Sequence, residues 1–382
     1  MERVEIKKIV HGGYGLGFGE GKTVLIPYTA PGDVVEYTVR YRKKNTYFGE
    51  ISKIVESSGM RVEPRCPVFG RCGGCHLQHI GYEDELKIKE RIVLESFERI
   101  GRIKTNVTRV VPSPERFGYR NHTIFKADPI GNIGFNKRES YEVVPFPKEG
   151  CLLLPETMRK AIAEIPRTAL SCNQEIRARS DADGRTYIWG LEEIEAPEEI
   201  TMRAGGFTFN ISPGAFFQVN SLMLEEMISL ISSIPLQARR HLLDLYSGVG
   251  FFSLPLSKLV IDGLGIEKDR AAYINAIEAA RANGVGNIRF KNGRVEREIV
   301  KLRDFDLIVA DPPRTGTPKI VLKNIIRIRP KELVLISCDP PTLARDAGRL
   351  LETGYVLSEL YILDIFPATY HIETIAVFRR GA

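Results

Sequence analysis

From about residue 205 onward, apolar runs of strand length alternate with amphipathic stretches of helical period. HLLDLYSG, VIDGLGIEKD, NIRFKNG, FDLIVADPP and ELVLISCDP each join an apolar run to a polar turn, and helical patterns fill 270–283, 319–328 and 342–353. Strands that are apolar without alternation are buried on both faces, which requires helices on both sides of a parallel sheet. The second half of the chain therefore predicts a doubly wound, Rossmann-like α/β sheet, with ligands at the carboxyl ends of its strands. The tail, 355–378, adds two more strands.

The first half follows different rules. Residues 1–57 carry short alternating runs separated by turns at Gly12-Gly13, Gly19 to Gly21 and Pro31-Gly32, a pattern that fits a small OB-like β-barrel of five strands. Within it HGGYGLG is too rich in glycine for a strand core and is read as a tight bulged loop. Residues 58–204 form a central α+β region. It opens with cysteines, continues in a helix over 82–100 marked by Leu86, Val93, Leu94 and Phe97, and runs on through β structure at 117–144. A helix and two or three strands follow over 152–200. With 382 residues, the expected division is 1–57, 58–204 and 205–382.

Apolar residues make up 43% of the chain, which excludes a disordered polymer. The excess of 54 Lys and Arg over 48 Asp and Glu is small, but it is unevenly spread. VRYRKK at 39–44 and the stretch 61–120 interleave basic residues with Tyr and Phe, which suits a surface that meets phosphates and stacks bases as well as it suits a solvated face. Neither a signal-peptide core nor a membrane-length apolar run is visible, so a cytoplasmic protein is expected. In that compartment six cysteines argue against a disulfide scaffold, which leaves metal binding or catalysis as the alternative to buried, inert thiols.

Five motifs carry chemistry. DLYSGVGFFSLPL, 244–256, turns a buried strand into a helix through glycines, and Glu267 ends the next strand where ribose hydroxyls would be held. Dinucleotides and S-adenosylmethionine are both served by that arrangement. DPPRTG, 311–316, places Asp311 on a rigid corner at the same edge of the sheet; Arg314 stands where amino-group methyltransferases carry an aromatic residue. In ISCDPPTLARD, 336–346, Cys338 lies between a strand and a helix N-terminus, a position that favours thiolate. The plain alternative is a buried structural thiol. A thiolate there could add to carbon 6 of a uracil and make carbon 5 nucleophilic, which splits one hard step into two. A base must later take the carbon-5 proton, and HIE places His371 and Glu373 on one face of a predicted strand. Glu373 is the preferred base. The fifth motif is Cys66-x5-Cys72-x2-Cys75 with Cys151 downstream, the spacing of an iron–sulfur site with zinc as its rival. Cys172 falls outside it and is read as structural.

Together these motifs resemble the RNA uridine-5-methyltransferase family typified by TrmA and RumA over essentially the whole chain. The resemblance implies an RNA-binding TRAM barrel at the N-terminus and a [4Fe-4S] cluster on Cys66, Cys72, Cys75 and Cys151. It implies S-adenosylmethionine contacts from Gln218 (in GAFFQVN, 214–220), Tyr246, Glu267 and Asp311, with Asp311 also a uracil contact. Cys338 becomes the nucleophile and Glu373 the final base. The chain departs from the family pattern at Asp339, where Asn usually follows the nucleophile, at Ser247, and at Arg294, near the adenine end. The implied partner is RNA, first 23S ribosomal RNA and alternatively the T-loop uridine of tRNA, acted on by a monomer. The rival of another class is an inactive RNA-binding module.

Overall fold

The computed structural model describes residues 2–19, 21–166, 170–191, 194–234 and 241–381. Strands β1 (Glu2–Val10), β2 (Tyr14–Gly19), β3 (Lys22–Pro27), β4 (Val34–Lys43) and β5 (Thr46–Glu56) close into a barrel in the order β1-β2-β3-β5-β4. Alternation turns Val4, Ile6, Val24, Ile26, Val35 and Tyr37 inward. The glycine-rich segment expected to be a loop is largely strand β2, and only 11–13 turn. A Cβ at Gly15 would lie 1.9 Å from the Thr29 hydroxyl, and one at Gly17 would lie 2.5 Å from a Val4 methyl. Those glycines are required by the narrow barrel interior, not by a turn.

Helix α1 (Tyr82–Ser96) runs into a π-helical turn at Phe97–Gly101, and a three-residue strand β6 (Arg109–Val111) follows. An antiparallel sheet then forms from β7 (His122–Ala127), β8 (Ile133–Asn136), β9 (Val143–Pro145), β10 (Glu175–Ser180) and β11 (Thr186–Trp189), in the order β11-β10-β7-β8-β9. Helix α2 (Glu156–Ala163) covers one face, packing Met158 and Ile162 on Phe125, Ile176 and Ala178.

A hairpin, β12 (Ile200–Ala204) and β13 (Phe207–Ile211), leads to α3 (Leu224–Ser233). The expected boundary at 204/205 thus falls inside a hairpin turn. After it come β14 (His241–Leu245), α4 (Ser253–Leu256), β15 (Asp262–Glu267), α5 (Arg270–Ala282), β16 (Ile288–Asn292), α6 (Val295–Glu298), β17 (Leu307–Ala310), α7 (Lys319–Ile328), β18 (Glu332–Ser337), α8 (Pro340–Leu351), β19 (Tyr355–Leu363) and β20 (Glu373–Arg380). The sheet order is β16-β15-β14-β17-β18-β20-β19-β6. The first five strands are parallel, β20 is antiparallel to both neighbours, and β6 reaches over from the central region as an edge strand.

Alternate residues of the central strands bury into two opposite cores. Leu242, Val309, Val334 and Ile336 face one, while Leu243, Ile308, Leu333 and Leu335 face the other. This is the doubly covered sheet that the apolar runs predict. Helix α8 starts two residues earlier than expected, because the Asp339 carboxylate accepts the Thr342 N–H (2.9 Å) and two prolines occupy its first turn. Strand β20 starts at Glu373, so His371 lies in the loop before it.

Candidate active site

Sheet order reverses at β14, which lies between β15 and β17, so the carboxyl ends of these strands are where a doubly wound sheet receives a ligand. Tyr246 follows β14, Glu267 ends β15, Asp311 follows β17 and Cys338 follows β18. Strand β20 arrives antiparallel, with Thr374 paired to Ser337. The next position on one strand is Cys338 and on the other Glu373, so nucleophile and base candidates face each other across adjacent strands.

Electrostatics place four groups in one neighbourhood. Burial pushes the Cys338 thiol up to about 11, assisted by the charges of Glu373 and Asp311 and opposed by the guanidinium of Arg314. Burial and two neighbouring acids thus disfavour the thiolate that the N-terminus of α8 would favour, so the thiol is the major form at neutral pH. Burial and the charge of Asp311 hold Glu373 well above the ordinary carboxylate range, with Arg314 again opposing. Burial raises Asp311 to about 7. A carboxylate shifted this way is a stronger base once ionised. His371 is driven down to about 3 by burial and by the positive charges of Arg314, Lys89, Arg120 and His11. Its ring lies against Phe366 and Tyr370. It is a neutral and weak base, which favours Glu373 for proton abstraction.

The glycine turn forms the other end of the site. Tyr246 has a φ of 65°, in the left-handed region that a bulky residue enters only when its surroundings impose it. Its hydroxyl and that of Ser247 are buried without a partner among the described residues. Glu267 accepts the N–H of Gly248 (2.9 Å) and of Asp269 (2.7 Å). Its carboxylate is thereby fixed at the turn with lone pairs to spare. Behind it Asp244 rises to about 7 through burial and the charges of Asp311 and Glu267, despite a hydrogen bond from Ser253. Among the described residues, none beyond its two chain neighbours comes within 4 Å of where a Cβ on Gly248 would sit. Unpartnered hydroxyls, open space and gathered acids suit a ligand that brings its own donors and positive charge. Gln218 is buried, and its neighbour Phe217 packs edge-on against Phe251 of the glycine turn at 5.4 Å. Asn121 anchors this segment through the carbonyls of Gln218 (2.9 Å) and Val219 (2.8 Å).

Cys66, Cys72, Cys75 and Cys151 meet elsewhere, around one cavity walled by Val68, Phe69, Phe135, Phe146 and Leu153. Burial and the neighbouring thiols push Cys75 far up, and Cys151 rises to about 11 for the same reasons. The N–H of Gly74 points at the Cys72 sulfur at 3.4 Å. Four thiols, apolar walls and a backbone donor fit a group that supplies positive charge. Among the described residues no set of three or more His, Cys, Asp or Glu is disposed to hold a single metal ion. Cys172, expected to be structural, is exposed.

Several groups that the fold brings together gave no clear signal in the sequence. His11, at the end of β1, lies 3.2 Å from the Asp339 carboxylate, so the barrel touches the residue next to Cys338. Burial and the charges of Arg179, Arg120 and Arg177 drive His122 down to about 3. Arg179 is itself buried, with Nη1 donating to the Ala215 carbonyl at 2.9 Å. The available signal was the period-two arginine pair in EIRARS. Glu296 makes its charge felt at the Tyr246 hydroxyl, two residues beyond the Arg294 noted in the sequence.

The comparisons with known proteins agree with this architecture. Residues 158–380 match the tRNA (Uracil-5-)-methyltransferase family, and 2–60 match the TRAM domain of tRNA (uracil(54)-C(5))-methyltransferase. An uncharacterized RNA methyltransferase of Aquifex aeolicus is 31% identical over 98% of this chain and 97% of its own length. The 23S rRNA (uracil(1939)-C(5))-methyltransferase RlmD of Aeromonas salmonicida is 30% identical over 99% and 97%. The crystal structure of Pyrococcus abyssi tRNA (uracil-54, C5)-methyltransferase, in complex with S-adenosyl-L-homocysteine, superposes with a TM-score of 0.78 at 25% identity, covering 98% of this chain and all of that one.

Proposed function

This chain belongs to the tRNA (uracil-5-)-methyltransferase family and is an S-adenosylmethionine-dependent RNA uracil-5-methyltransferase, and we propose that it methylates a uridine of 23S ribosomal RNA through a covalent Cys338–uracil intermediate. The observation that carries the mechanism is the pairing of Ser337 with Thr374, which puts Cys338 beside Glu373.

The target uridine leaves its stack to enter the site, because carbon 6 is out of reach in a stacked strand. Cys338 Sγ forms a bond to carbon 6 and its proton passes to Asp311, whose charge already bears on the thiol. The electron pair of the ring double bond moves towards carbon 5 and O4 as an enolate, beside the Arg314 guanidinium. S-adenosylmethionine, when bound, would supply the methyl group to carbon 5 by breaking its sulfonium S–CH3 bond, leaving as S-adenosylhomocysteine. Glu373 then removes the carbon-5 proton, the ring double bond re-forms, and the S–C6 bond breaks to release Cys338 as thiolate. Gln218, Tyr246, Glu267 and Asp311 hold the methyl donor, and the open space at Gly248 beside Glu267 leaves it room.

Cys66, Cys72, Cys75 and Cys151 hold a [4Fe-4S] cluster in this reading, and the cluster supplies structure rather than a catalytic step. Anaerobically purified protein is then brown and iron-loaded; colourless protein loaded with zinc would reverse the assignment. RNA lies across the barrel and central region. Supporting this, Arg138 sits 4.1 Å over the Tyr14 ring and Tyr41 stacks on Phe48 at 4.5 Å, lining the crevice between barrel and central sheet.

The ribosomal target rests on the Aeromonas relative. The T-loop uridine of tRNA is the second reading, favoured by the barrel match and by the end-to-end superposition on the Pyrococcus enzyme. Incubation with labelled S-adenosylmethionine and separate 23S and tRNA transcripts, followed by mapping of 5-methyluridine, decides. Label in 23S RNA is expected, and label in tRNA alone selects the second reading. RNA binding without label in either would reduce the chain to an inactive module.

A further inference from the structure

Between β19 and β20 the chain makes a loop, 364–372, that carries Phe366, Tyr370 and His371 and delivers Glu373 to the sheet edge. Its pivot is Ala368, fully buried and held at a φ of 64°. An alanine stays in that region only where its surroundings fix it. The contacts that fix it come from the central region. The Ala368 carbonyl accepts the N–H of His76 (2.9 Å) and of Leu77 (3.0 Å), the two amides that follow Cys75. The Ala368 N–H donates to Glu85 (2.7 Å), and the Tyr119 hydroxyl donates to the Pro367 carbonyl (3.0 Å). Lys89 Nζ donates to Glu85 (2.8 Å), to Asp364 (2.6 Å) and to the Phe366 carbonyl (3.2 Å).

Glu85, Lys89 and Asp364 have no solvent exposure. Arg116 completes the set by donating to Glu85 (2.7 Å) and to the carbonyls of Leu77 (2.9 Å) and Ile80 (2.8 Å). Two acids and two bases balance. A buried charge network of this kind is a poor way to gain stability, since apolar side chains of equal volume commonly do as well or better. What it provides is direction: three donors on one ammonium fix a backbone carbonyl, a carboxylate and a helix relative to one another.

We infer that Lys89 and Glu85, with the two amides after Cys75 and the Tyr119 hydroxyl, are positioning groups that clamp the 364–372 loop and so set Glu373 at its working distance from the Cys338 adduct. The proposal rests on Glu373 being the base. It makes the loop of the cysteine site one jaw of the clamp, so that site and the catalytic base form a single mechanical unit.

The test is single-turnover kinetics on the full-length protein, following formation of the covalent enzyme–RNA adduct on denaturing gels and its decay to methylated RNA. Lys89→Met slows adduct decay by about 100-fold, the scale of an ångström-size misplacement of a catalytic group, while adduct formation and S-adenosylmethionine binding stay near wild type. Lys89→Arg restores part of the decay rate. Tyr119→Phe removes one hydrogen bond and keeps the buried ring, so it decides the matter if Lys89→Met does not fold; decay about five- to tenfold slower is expected. Equal losses in formation and decay, or unchanged decay in Tyr119→Phe together with Lys89→Met, overturn the proposal. Glu373→Gln separates the two claims. If it resolves the adduct at the wild-type rate, the base assignment itself is wrong. If it traps the adduct but the clamp variants do not, only the clamp is wrong.

Discussion

Five of the six cysteines fall into two settings whose difference lies in their neighbours. Cys66, Cys72, Cys75 and Cys151 share an apolar cavity, in which burial and neighbouring thiols raise Cys75 and Cys151. Cys338 stands at the carboxyl edge of the large sheet among Glu373, Asp311 and Arg314. Burial lifts the thiol in both places, so burial alone does not distinguish a ligand from a nucleophile. Thiols gathered in an apolar cavity suit a shared cation, which is the role proposed for them. A thiol surrounded by titratable acids has somewhere to send its proton and a group to take the next one. The company of each sulfur, rather than its burial, is what supports the role proposed for it.

Substitutions at the two sites should therefore dissociate. Cys338→Ala is expected to lower methyl transfer by roughly 10⁴-fold or more, with S-adenosylmethionine affinity and metal content unchanged; residual turnover near wild type removes covalent catalysis from the account. Cys75→Ala should do the reverse. The proposed cluster would be lost and thermal stability would fall by several kcal/mol, as for structural metal sites, with methyl transfer by the folded fraction reduced far less than in Cys338→Ala. Metal analysis and calorimetry on both variants are the check, and a Cys75→Ala protein that keeps its metal would merge the two settings again.

The pH profile is a gentler probe of the same contrast. Because Cys338 sits at about 11, its thiolate fraction in the free protein grows nearly tenfold per pH unit through the neutral range. Asp311, at about 7, ionises over the lower part of that range. Both effects carry the same sign, so the single-turnover rate of adduct formation should climb from pH 6 to pH 9. A flat profile contradicts the thiol's raised position. The smallest effect is expected at the barrel contact. The His11–Asp339 pair is partly exposed, and such pairs are worth about 0.5–1 kcal/mol, so His11→Ala should slow adduct formation by only about two- to fivefold. A loss above a hundredfold would give the barrel a direct catalytic part.

Much of this was legible in the sequence where the physics is local. Strands buried on both faces read as unbroken apolar runs, and their polar turns point at one edge of the sheet. Asp311, Cys338 and Glu267 were visible for that reason. The four cysteines singled out by their spacing line one cavity. What stayed hidden depends on distance along the chain. Lys89 and Asp364 are 275 residues apart, and nothing near either announces the other. Strand β6 is three residues of an irregular segment, given its role by β19. The glycines of β2 answer to Thr29 and Val4 across the barrel rather than to their own neighbours. Cys338 looked like a thiolate because a helix begins beside it; the carboxylates that outweigh the helix arrive from β17 and β20.

The most direct measurement is mass spectrometry of proteolysed Glu373→Gln protein after incubation with substrate RNA and S-adenosylmethionine. A Cys338 peptide carrying a 5-methylated uridine through its sulfur is the predicted product. Finding no adduct, or finding the uridine on a different residue, contradicts a mechanism in which Cys338 attacks and Glu373 releases.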